Sequence, residues 1–198
     1  MIMYKNLVLL FCFLASSTLS AQSIMGISSR WSDEFTEWDV YTDMGDQTVR
    51  EDKGEEYIEV APSGELLMRW QIDLNWAEWD FEVDGVTGSI RQLWKDDPTQ
   101  WELRIGSEVI TCRAAWRDDL SEWRITNNKK TLIWRSKYRR DFNEWQLRDK
   151  ANGEFSVYAT FQNDPRDWTV VDELDEDIPF SMKMAMTFLA MYHSIDRR

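Results

Sequence analysis

The chain has 198 residues, 43% of them apolar, with 23 basic against 36 acidic side chains, a net charge of −13, one histidine and two cysteines. So large an acidic excess supplies no long-range attraction for a phosphate backbone, which argues against nucleic acid as a partner. One histidine and two cysteines provide neither a zinc ligand set nor a disulfide framework, so a hydrophobic core must carry the fold, and no metal or cofactor is expected.

At the N-terminus Lys5 precedes an apolar run over residues 7–15 and small residues up to Ala21. This pattern predicts a signal peptide over 1–21 and a secreted, periplasmic or cell-envelope protein. Leu10 and Phe11 before Cys12 do not fit a lipoprotein signal, and the apolar run is too short to span a bilayer. The mature chain is expected as one domain over 22–198, with Cys112 its only cysteine and no transmembrane span.

An internal repeat with a period of about 22 residues dominates the rest. An aromatic residue is followed by an acid three positions on and by Trp seven positions on: Trp31/Glu34/Trp38, Trp94/Asp97/Trp101, Trp116/Asp119/Trp123, Tyr138/Asp141/Trp145 and Phe161/Asp164/Trp168. A looser copy, Trp70/Asp73/Trp79, contains two extra residues. Position four is Phe, Leu or Pro in each copy: Phe35, Leu74, Pro98, Leu120, Phe142 and Pro165.

Hydrophobic parity identifies each repeat as a β-hairpin. After the turn Trp101, Leu103 and Ile105 alternate with Glu102 and Arg104; before it, Ile110, Cys112, Ala114 and Trp116 share a face, as do Phe155, Val157, Ala159 and Phe161. On this reading the leading aromatic and the trailing Trp both join the core. Asp84-Gly85, Gly106-Ser107, Asn127-Asn128 and Asn152-Gly153 supply tight turns at the other end. Six hairpins give about twelve antiparallel strands, and closing them into a barrel removes the free edges.

So wide a barrel needs a filler. From Phe180 to Ile195 the chain is apolar around almost its whole circumference, which predicts a buried C-terminal helix over about 178–196 in the lumen, with Asp177 and Pro179 in its first turn and the acidic run 172–177 beside its positive end. The fold class is therefore all-β with one C-terminal helix. Twelve strands followed by such a helix resemble the Tubby C-terminal-like barrel shared by LURP-one-related proteins and phospholipid scramblases. The resemblance is carried by Leu132-Ile133-Trp134-Arg135-Ser136-Lys137-Tyr138 leading to Trp145-Gln146-Leu147-Arg148-Asp149, and by the acid-led helix that ends in Ile195-Asp196. It implies a barrel wound around its helix and contact with membrane lipid.

Candidate binding residues are the turn acids Asp73, Asp97, Asp119, Asp141 and Asp164, which could ring one barrel end to hold calcium or a sugar, and Trp76, which lies outside the repeat register as the Trp best placed to be exposed. Asp also favours the start of a turn for its own sake, by accepting backbone N–H bonds. His193 falls in the buried helix and Cys112 on the inner face, so no catalytic constellation assembles. The expectation is a non-catalytic exported binding or scaffold barrel of the cell envelope with a lipid, glycan or envelope-protein partner. The alternative is a carbohydrate- or surface-binding repeat protein that uses loop aromatics.

Overall fold

The computed structural model describes residues 22–195 apart from 53, 54, 74, 96, 140 and 149; the leader expected over 1–21 lies outside the described residues. The strands are β1 (Ile24–Ser29), β2 (Glu37–Thr42), β3 (Gln47–Asp52), β4 (Glu55–Val60), β5 (Gly64–Trp70), β6 (Asn75–Val83), β7 (Val86–Gln92), β8 (Gln100–Ile105), β9 (Glu108–Trp116), β10 (Asp119–Thr126), β11 (Thr131–Tyr138), β12 (Asp141–Leu147), β13 (Gly153–Phe161) and β14 (Asp164–Leu174), followed by the helix α1 (Phe180–Ser194).

Twelve of these strands close into one antiparallel barrel in the order β1-β14-β13-β12-β11-β10-β9-β8-β7-β6-β5-β2. The seam is the pairing of β1 with β14, with Gly26 opposite Thr169. Alternation produces the wall: in β10, Trp123 and Ile125 point into the core while Glu122 and Arg124 face solvent. At the helix-entry end the turns have the backbone their residues favour, with Asp84 and Gly85 at φ 48° and 77° and Asn128 at φ 68°.

The pair β3–β4 departs from a simple meander. It leaves the wall after β2 and returns into β5, so that β2 pairs directly with β5, Trp38 opposite Leu66. Val49 and Ile58 face each other across this arm and both are exposed. No repeat motif marks the segment, and none of its described side chains belongs to the buried core.

α1 fills the lumen, and residues 181–193 are all buried. Its start corrects two details of the sequence reading. Pro179 is the N-cap and the first turn holds no acid, while Asp177 turns outward to pair with Lys130. The acid that matters is Asp172 in β14, whose Oδ2 lies 2.8 Å from Nζ of Lys183, both side chains being almost fully buried. The same carboxylate accepts the Ile24 N–H at 3.2 Å, and Lys183 also donates to the Gln22 carbonyl at 3.3 Å. No helix among the described residues is long and apolar enough to cross a membrane.

Candidate binding collar

All six repeat hairpins, β1–β2, β5–β6, β7–β8, β9–β10, β11–β12 and β13–β14, turn at the end of the barrel that surrounds the last turn of α1. There Tyr192 meets Trp101 edge to face at 4.5 Å, and His193 stacks on Trp123 at 5.0 Å. Ser194 donates to the Phe142 carbonyl at 2.6 Å, fixing the helix end to the rim.

The repeat has a mechanical meaning that spacing alone does not reveal. In each copy the trailing Trp is buried and donates its indole N–H to the carbonyl three residues earlier: Trp38 to Phe35, Trp79 to Trp76, Trp101 to Pro98, Trp123 to Leu120, Trp145 to Phe142 and Trp168 to Pro165, all at 2.7–3.0 Å. Each bond satisfies a buried donor and holds the turn against the core. The turn acids do the neighbouring job. Oδ1 of Asp97, Asp119, Asp141 and Asp164 accepts the backbone N–H two residues on, from Thr99, Ser121, Asn143 and Arg166, at 2.9–3.1 Å. Bonds from the Thr99 hydroxyl and N–H hold the Asp97 carboxyl below its ordinary range, and the Arg166 guanidinium does the same for Asp164.

The looser copy falls into register on a different residue. Trp70 pairs with Asn75, as Trp116 does with Asp119, and Asn75 Oδ1 accepts the Ala77 N–H at 3.1 Å. Asn75 therefore fills the place of the turn acid, with Asp73 in the widened turn before it, and Trp76 fills position four in place of Leu74. Trp76 is partly buried, 5.9 Å from Trp79, and packed on the core rather than displayed. With Asp73 it lines a hollow of about 790 Å³ that also includes Glu78, Gln92 and Lys95. The acids are brought to one rim, one per hairpin, and to no common centre. Among the described residues no group of three or more His, Cys, Asp or Glu side chains gathers to hold a metal ion.

The leading aromatics overturn the parity reading. Trp31, Trp70, Trp94, Trp116, Tyr138 and Phe161 are not core residues; they are 50–67% exposed. Four hairpins show why. Trp116 pairs with Asp119 while Ala114 pairs with Trp123, so β10 carries two more residues than β9 across the same step; Trp70/Asn75, Tyr138/Asp141 and Phe161/Asp164 repeat this geometry. Such a bulge twists the strand end and releases it from alternation. The inner seat is taken by position four instead, with Phe35, Trp76, Leu120 and Phe142 packed on the core. The result is a collar of six exposed aromatics around one rim, and because successive members lie two strands apart, their spacing is about 10 Å.

The remaining reactive groups are sequestered. Cys112 is buried, which pushes its thiol up to about 12, so it carries no thiolate near neutral pH. His193 lies among Trp123, Tyr192, Phe142 and Trp145.

Neither the family models, the curated proteins nor the solved structures compared with this chain give a match.

Proposed function

We propose that the protein is a non-catalytic binding module of the cell envelope that holds an extended partner against the outside of its barrel through the aromatic collar. The observation that carries this reading is the regular exposure of Trp31, Trp70, Trp94, Trp116, Tyr138 and Phe161, one from each hairpin tip. A large aromatic surface repeated around one rim costs free energy in water unless a partner covers it. An indole offers a flat apolar face with a polar edge, which suits the faces of sugar rings. A linear glycan crossing several platforms would engage them in series. The buried Cys112 and His193 favour binding over catalysis, and the expected leader favours the envelope.

A membrane surface is the competing partner, favoured by the resemblance to lipid-associated barrels. The rim itself favours the glycan. The exposed turn residues Asp33, Arg117, Asp118 and Arg139 share the rim with the aromatics, so an end-on approach to a bilayer would have to desolvate charge along with the collar.

Calorimetric titration of the mature protein with a panel of neutral linear oligosaccharides, and separately with phosphatidylcholine vesicles, tests the assignment. Saturable oligosaccharide binding that is lost in Trp31→Ala/Trp70→Ala/Trp94→Ala, at an unchanged melting temperature, is the expected result. Binding that survives the triple substitution overturns the collar reading, and a response to vesicles alone transfers the collar to membrane docking.

A further inference from the structure

We infer that the outer wall of β9–β12 carries a site for the anionic group of an acidic saccharide, a sugar bearing carboxylate or sulfate. The inference rests on the collar reading, since it names which class of glycan the collar takes.

Cross-strand register carries the argument. Arg113 of β9 and Arg124 of β10 lie directly opposite each other on the solvent face. Like charges in that position repel, and nothing in the fold requires them there. Four other outward arginines of the wall and rim are held by acids. Arg30 reaches Asp39 at 2.7 Å and Glu65 at 3.1 Å, Arg69 is held by Asp80 and Glu78, and Arg91 and Arg104 converge on Glu102 at 2.9 and 2.7 Å. Neither Arg113 nor Arg124 has a carboxylate partner among the described residues. Next to them Nε of Arg135 is buried without a hydrogen-bond partner, although its residue faces Glu122 across the ladder.

Arg113 and Arg124, together with Arg148, line a groove of about 700 Å³ against one carboxylate, Glu122, in a chain whose net charge is −13. That volume suits a small ligand unit. Glu122 is partly engaged already, 3.5 Å from Arg148. Two guanidinium forks facing one another suit a planar carboxylate or a sulfate, which each can grip through paired N–H donors. The groove runs up to Trp116 of the collar, and Thr111 lines it with a hydroxyl, whereas the Thr126 hydroxyl already donates to the Lys130 carbonyl at 2.8 Å. Charge, a hydroxyl and a flat aromatic face together match a sugar ring that carries an acid.

The test compares an oligogalacturonate with the same oligomer after reduction of its carboxylates to alcohols, by calorimetric titration of the mature protein and of two variants, with phosphatidylglycerol vesicles as a separate ligand. Wild type is expected to bind the acidic oligomer at least about tenfold more tightly than the neutral one, with the difference shrinking as salt is raised. Arg113→Gln/Arg124→Gln, which changes two exposed side chains, is expected to abolish that difference and leave neutral binding and the melting temperature in place. Equal affinity for the two oligomers in wild type, or a preference that survives the double substitution, overturns the site. Binding of the vesicles with no response to either oligomer assigns the arginines to a lipid phosphate and overturns it as well. The collar variant Trp31→Ala/Trp70→Ala/Trp94→Ala separates the two readings. If it leaves both affinities unchanged while the arginine variant lowers only the acidic one, the collar fails and the groove stands.

Discussion

Replacing Lys183 by Met removes the ammonium from a site of nearly the same volume, so the effect should be electrostatic rather than one of packing. The Asp172 carboxylate, with its side chain only 2% exposed, would keep the Ile24 N–H at 3.2 Å and the Leu174 N–H at 3.4 Å but lose the cation paired with it. Breaking a buried pair from one side costs about 3–5 kcal/mol, a large share of the ~5–15 kcal/mol that holds a typical domain together. For a domain of this size each kcal/mol moves the melting temperature by about 2–4 °C, so Lys183→Met should melt roughly 6–20 °C below wild type. Asp172→Asn/Lys183→Met discharges both members while leaving an amide oxygen to accept the Ile24 N–H, and it should recover most of the loss. Thermal and urea unfolding followed by tryptophan emission measures both. A single variant within about 2 °C of wild type, or a double variant no more stable than the single, would refute the claim that this pair is desolvated in the lumen.

Three further outcomes follow from the same packing. Deleting residues 179–198 removes the filler of the lumen and should abolish cooperative unfolding in calorimetry; a sharp transition at the wild-type temperature would show that the wall stands without α1. Trp123→Phe keeps an aromatic ring but leaves the Leu120 carbonyl without its 2.7 Å donor, and should cost about 1–3 kcal/mol, whereas Trp145→Phe should cost less because Ser194 still donates to the Phe142 carbonyl; equal losses in urea titration would deny the indole bonds this role. Hydrogen bonds from Arg104 and then Arg91 hold the Glu102 carboxyl below its ordinary value of 4.5, so it contributes stability above that value and withdraws it as pH falls through its lower, folded-state value. Glu102→Gln should therefore flatten the acid side of a stability-against-pH curve, and an unchanged curve would contradict the clamp.

Much of the architecture was legible because it obeys strict periods. The interval from aromatic to acid to Trp marked six turns, parity around Trp101, Trp123 and Trp145 placed one face inside, and the stretch after Pro179, apolar around almost its whole circumference, too short for a span and including Lys183, pointed to a buried helix. The collar was not legible for a specific reason: alternation extrapolates only until register slips, and the two surplus residues between Asp119 and Trp123 undo it for Trp116. The same slip explains Trp76, since counting forward from Trp70 puts the turn acid at Asp73, whereas counting back from Trp79 finds Asn75. The β3–β4 arm was missed because Val49 and Ile58 alternate with polar neighbours as a wall strand would, yet have no core to face. The opposition of Arg113 and Arg124 depends on pairing across a turn, which the motif marks but whose register a bulge decides.

The seam between β1 and β14 also bears on the order of events during synthesis. A meander hairpin can form as soon as its second strand emerges, but here the first wall strand waits for the last, and α1 follows both in the chain. The edge of β1 that belongs to β14 thus stays unpaired through most of translation, as does the opposite edge of the growing sheet. Long-range closure of this kind is slow and exposes strand edges while it waits. Such a delay suits the export expected from the sequence, in which a chain crosses a membrane before folding: the wall cannot be sealed around its helix until β14 and α1 have arrived.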